Sequence, residues 1–301
     1  MNNADLYRQW VGRYAERIAK PLPSGGANPT PPNPAGQPDP NAGTPLVVPA
    51  SSIPYVSEFF LSGKFGKEFL GEYNKVVKRE YGNANALRVL NWDDGEDLVV
   101  GSNPFAIAVA NQILQKKDIR TATQSELEAI LKGNKLPFRD HYEESSLVWR
   151  SHETPNDYLA LDLYNQFKAK GINLVKGKAY VLPLYALGLR KDNNSPNKLS
   201  FVLSETPVYF EAPILNEPSQ QLFKNSDIYA QTGLPTKVQS SGDRKIYTRN
   251  WHEYAVKNSG LSRLCLGRYL YVYSYGGGLA NSNEDGRVVC ISGAAARPQK
   301  F

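Results

Sequence analysis

Among the side chains of this 301-residue chain, three sets have the types and spacing for chemistry. The first is the histidines, His141, His152 and His252, two of them followed by glutamate in SHETP and WHEYA. Neutral imidazole ligates zinc, a neighbouring carboxylate fixes its tautomer, and near neutral pH the same ring moves protons. A hydrolase or transferase built on this chain would therefore join one of these histidines to a carboxylate. The spacing argues against it. Adjacent strand residues point to opposite faces, and no two of the histidines fall on one helical face. Structural histidines are the plainer reading, with neither a metal nor a cofactor expected.

The second set is acidic. Asn281, Asn283 and Asp285 before Gly286 repeat the first half of a calcium loop, but Ser292 stands at the twelfth position, where a bidentate glutamate is needed. The same residues read more simply as a hairpin turn between strands ending near Tyr275 and starting at Arg287. Asp93, Asp94, Glu96 and Asp97 around Gly95 likewise read as a hairpin tip before they read as a magnesium site. Gly101, Ser102 and Asn103 sit between a strand and a helix start, where free amides attract anions, yet neither lysine nor further glycine supports a phosphate loop. Phosphate-loop, dinucleotide, nucleophile-elbow, HExxH and CxxC motifs are all lacking.

The third set is RYLYVYSY, Arg268 to Tyr275. In a continuous strand, Tyr269, Tyr271, Tyr273 and Tyr275 share one face and Leu264, Leu266, Leu270 and Val272 the other. Four rings with hydroxyl tips make an amphipathic surface that stacks bases or sugars, or meets a partner protein. The alternative is a strand buried on both sides. This strand is expected to pair with Arg287–Ser292 through the NSNEDG turn, with breaks at Gly267 or Gly276–Gly278 if the register slips.

The elements that must hold these residues follow from periodicity. Leu6, Trp10, Tyr14 and Ile18 form an amphipathic stripe over residues 1–20, with Trp10 and Tyr14 as its aromatic contacts. Residues 21–54 hold 11 of the 21 prolines and a single charge, which predicts an extended tether. A body over 55–301 follows. Its first half reads as helices: 67–81 before Gly82, about 104–117 capped by Asn103, a short one opened by Thr123 and Glu126, and one from 154–157 to Gly171. From residue 172 the pattern becomes strands, INLV, KAYVLPLYALGL, KLSFVLS, TPVYFEAPI, KIYTR, SRLCLGRYLYVYSY and RVVCIS, separated by polar turns. An α+β fold is expected, with the helical half packed on or beside a mainly antiparallel C-terminal sheet.

Composition narrows the class. A net charge of +6 is spread too evenly for a phosphate-neutralising face, so a nucleic-acid partner has weak support. No run spans a bilayer, the N-terminus lacks an apolar signal core, and two cysteines cannot staple the fold, so reduced thiols and a cytoplasmic location are expected. The expected function is a non-enzymatic interaction or assembly protein: a docking helix, a tether, and a sheet surface for a protein partner or self-association. A His/carboxylate hydrolase and a single-stranded nucleic-acid binder are the alternatives.

Overall fold

A computed structural model describes residues 60–133, 141–217, 220–248 and 260–292. All belong to the compact unit Pro40–Phe301. The N-terminal helix with Trp10 and Tyr14, the proline-rich tether and His252 lie outside the described residues.

Among the described residues four α-helices form where capping and periodicity place them. α1 (Gly63–Tyr81) buries Phe69, Tyr73, Val76, Val77 and Tyr81, and ends on Gly82 in the left-handed conformation, φ 60°. α2 (Pro104–Leu114) starts on Asn103, whose side chain accepts from the Ala106 amide, and is buried on nearly every side. α3 (Gln124–Lys132) opens with the full Thr123/Glu126 capping box. α4 (Asp157–Ala169) follows Asn156, whose side chain caps no helix amide and instead donates 2.8 Å bonds to the Leu261 and Gly277 carbonyls. Among the described residues no helix is long and apolar enough to cross a membrane.

The α+β architecture is present, and its sheet draws strands from both halves of the chain. The ten strands are β1 (Asn91–Asp93), β2 (Leu98–Val100), β3 (Tyr142–Trp149), β4 (Tyr180–Pro183), β5 (Phe210–Glu211), β6 (Gln220–Phe223), β7 (Arg244–Tyr247), β8 (Leu261–Leu266), β9 (Val272–Tyr273) and β10 (Gly286–Arg287). Their order is β1-β2-β10-β3-β8-β9-β7-β6, with β4 also on β3, and β5 on β4. β3 is the spine. One edge pairs with β8 throughout, while the other pairs with β10 at Tyr142–Glu143 and with β4 at Ser146–Trp149.

That spine is the largest departure from the sequence expectation, because EESS in its first half gives no apolar run. Seven of its eight residues are buried all the same. An opposite charge makes part of this tolerable: Arg263 pairs with Glu144. Arg287 lies in register with Glu143 but bonds Glu96. Ser145, the unmatched residue where the register shifts between Leu264 and Cys265, bonds to the Leu264 carbonyl and to Gln124 of α3.

Two other expectations are corrected. Residues 172–175 form no strand, since Val175 is 46% exposed and Gly171 and Gly177 bracket a turn. Arg287–Ser292 does not pair with the tyrosine segment. β10 inserts between β2 and β3, and Cys290–Ser292 pairs with Ile119–Thr121. The NSNEDG stretch thus carries the chain across the sheet rather than around a hairpin.

This arrangement also separates the two cysteines. Cys265 lies opposite Tyr273 and Glu144, whereas Cys290 lies opposite Thr121. Both are buried, and burial pushes their thiols up to about 11 and about 12. A thiol-directed disulfide reagent at pH 8 should leave both untouched in the folded protein and label two per chain after denaturation. Rapid labelling of the native chain would contradict this placement.

Candidate functional site

The histidines do not come together. His141 and His152 flank opposite ends of β3, and at about 3.3 Å per residue they stand roughly 30 Å apart. His152 packs on the Tyr164 ring, 5.4 Å between centroids. Among the described residues no three of His, Cys, Asp or Glu cluster as metal ligands. The Gly101 and Ser102 amides are committed internally. The Gly101 amide donates to the Gly286 carbonyl, that of Ser102 to Ser282 Oγ, and the Asn103 side chain caps α2. Asp93 Oδ1 accepts from the Gly95 and Glu96 amides, as a hairpin tip requires.

The tyrosines do come together, though not as one strand. After β8 the chain turns at Arg268–Leu270, where Tyr269 and Leu270 adopt φ of 60° and 63°. Left-handed backbone at two consecutive side-chain-bearing residues is costly and persists only where surroundings enforce it. Here the Gly267 amide donates to the Tyr271 carbonyl and the Leu270 amide to the Gly267 carbonyl. Arg244 Nε donates to the Leu270 carbonyl at 2.6 Å, while its two terminal nitrogens grip Glu128 of α3 at 2.6 and 2.7 Å. A buried arginine thus ties the turn to the helix behind the sheet.

Past the turn, β9 pairs antiparallel with β8 and parallel with β7, setting Tyr247, Tyr273, Cys265 and Glu144 in one cross-strand row. Tyr247 and Tyr273 stack at 4.8 Å with planes 5° apart. Tyr271 lies 5.8 Å and Tyr275 6.3 Å from Tyr247, and Tyr269 lies 5.7 Å from Tyr271. Among the described residues the result is a patch of five rings. Tyr269 is 53% exposed, Tyr271, Tyr273 and Tyr275 are half-buried, and Tyr247 is buried at the centre. Burial pushes the Tyr247, Tyr273 and Tyr275 hydroxyls up, so all three are neutral phenols at physiological pH. On the opposite face of the same strands, Ile246, Leu264, Leu266 and Val272 are fully buried, as the sequence alternation requires.

Tyr247 was not legible from RYLYVYSY. Its alternation with Lys245 in KIYTR marks a strand, but only the parallel β7–β9 pairing brings the ring into the patch. Gly267, expected as a place for a break in the strand, precedes the turn and also contributes to the patch. A Cβ at this position would overlap the Tyr273 ring, so the glycine is the floor on which that ring lies.

The charges at the border are largely matched. Arg268 pairs with Asp285, Arg263 pairs with Glu144, and Lys245 sits 5.7 Å over the Tyr271 ring. The chain matches no protein-family model, no curated protein and no solved structure.

Proposed function

We propose that the chain is a non-enzymatic interaction protein that uses the five-tyrosine patch to bind a protein partner or a second copy of itself. The observation that carries this reading is the contiguous ring chain from Tyr269 to Tyr275 through Tyr247, partly open to solvent and held from behind by Arg244. Tyrosine suits such a surface. It offers large apolar area, a polar tip and little rotamer entropy to lose, which is why aromatic anchors dominate binding energy in protein interfaces. A single-stranded nucleic acid would also stack on these rings, but it draws most of its affinity from unpaired cations, and two of the bordering arginines already face carboxylates. The docking helix at 1–20 and the tether belong to the same proposal on sequence grounds.

Tyr271→Ser is the cleanest probe, because that ring is half-buried and has no closely stacked partner. It should leave the cooperative melt nearly unchanged and weaken association, followed by sedimentation velocity and by partner pull-down, at least about tenfold, or 1.4 kcal/mol. Gly267→Ala should have the same effect on association by displacing the Tyr273 ring. Association unaltered in both variants would remove the patch as the binding surface. An oligonucleotide that binds the wild type with strong salt dependence would favour the nucleic-acid reading instead.

A further inference from the structure

On the face of the sheet opposite the tyrosines, one cross-strand row runs Ile246, Val272, Leu266, Glu143, Arg287 and Val100. Every member is buried, and Glu143 is 2% exposed. Among the described residues neither carboxyl oxygen of Glu143 has a hydrogen-bond partner. An ionised carboxylate so placed, with apolar Leu266 on one side, costs several kcal/mol unless a cation or proton neutralises it.

The cation beside it is engaged elsewhere. Arg287 is 4% exposed, and its guanidinium donates at 2.9 Å to Glu96, which is half-exposed at the β1–β2 hairpin. It also donates to the Glu284 and Gly286 carbonyls, while its Nε has no partner. One guanidinium therefore lies between two carboxyl groups and bonds only the outer one.

We propose that Arg287 is a proton-controlled clasp, held by Glu96 while Glu143 carries a proton and drawn to Glu143 when that proton leaves. The step is a plain ionisation: Glu143 releases H⁺ to solvent, and the resulting carboxylate competes with Glu96 for the single guanidinium. The clasp is the fastening of the 93–97 turn to β10, alongside the bond from the Gly63 amide to the Asp97 carbonyl, so its release loosens that turn.

Among the described residues, the titratable groups on the elements packed against Glu143 are committed or neutral. From β8, Cys265 is a neutral buried thiol. Glu144 is paired with Arg263. On α3, which packs on β8, Glu126 is closed by Arg120 and Glu128 by Arg244. Burial holds the Glu143 carboxyl well above the usual carboxylate range, with Arg287 acting in the opposite direction. A carboxyl whose folded value is raised adds stability below its unfolded value, and this is lost as pH rises through the folded one.

The test is hydrogen exchange at the amides of residues 93–98, corrected for intrinsic rates, together with unfolding free energy, both across pH. In the wild type, turn protection and global stability should fall together as pH rises, no more steeply than about tenfold per pH unit, the limit for one proton. Glu143→Gln should flatten both profiles. Glu96→Gln should flatten the turn profile and move the fall in global stability to lower pH, because Glu143 then has the guanidinium to itself. A Glu143→Gln protein that keeps the wild-type pH dependence of turn exchange overturns the clasp. Should that variant fail to fold, the Glu143 carboxyl carbon resonance of the wild type decides: titration in step with turn exchange supports the clasp, and any mismatch between the two overturns it.

Discussion

Replacing Arg244 by methionine should destabilise the protein by about 3–5 kcal/mol, measured by urea unfolding, because it strands Glu128 as an uncompensated charge inside the fold. Both groups are nearly inaccessible, at 2% and 7% side-chain exposure, and their contact is bidentate. Pairing Arg244→Met with Glu128→Leu should restore stability to within about 1 kcal/mol of the wild type, since a buried ion pair of this kind is often replaceable by apolar packing. The double variant would still lack the bond from Arg244 to the Leu270 carbonyl. It should therefore melt normally and associate poorly, which separates holding the fold from presenting the tyrosines. A single variant that loses less than about 1 kcal/mol would show that Glu128 is not left charged and buried.

Trp149→Ala should cost about 3–5 kcal/mol, the range for large aromatic truncations in a packed core. Trp149 ends the spine strand at 1% exposure, lies against Tyr164 at 5.8 Å with planes 11° apart, and donates from its indole nitrogen to the Ala160 carbonyl at 2.9 Å. Trp149→Phe keeps most of the packing and loses that bond, so about 1 kcal/mol is expected. The same denaturant titration reads both variants. Equal losses for the two would mean that the hydrogen bond, rather than the ring, fixes α4 on the sheet.

The helices were legible because their ends are written in local chemistry. Asn103, the Thr123/Glu126 pair and Gly82 act within a few residues of themselves, and no distant partner is needed to read them. The spine strand was illegible for the converse reason. Glu143, Glu144, Ser145 and Ser146 become interior residues because strands β8 and β4 cover them and Arg263 and Gln124, supplied elsewhere in the chain, meet Glu144 and Ser145. At the tyrosine segment, alternation correctly separated the ring face from the leucine face but did not reveal the turn at Tyr269–Leu270. Two side-chain-bearing residues in left-handed conformation have no local signature; the bond from Arg244 that helps enforce them comes from a strand 26 residues earlier. The ring patch survived this break because β7 contributed Tyr247 to its centre.

The insertion of β10 between β2 and β3 sets a schedule for synthesis. Arg287 bonds to a residue 191 positions earlier, and Ser282 to one 180 positions earlier. Helices α1 to α4 can form as the chain emerges, but β2 and β3 meet no common neighbour until residues 286–287 have been made. Closing such distant pairings is slow, and until then the edges of β2 and β3 are open to other chains. A nascent chain stalled before residue 286 is thus the species most in need of a chaperone, with the Tyr142–Glu143 edge of its spine uncovered and Glu143 lacking its arginine neighbour.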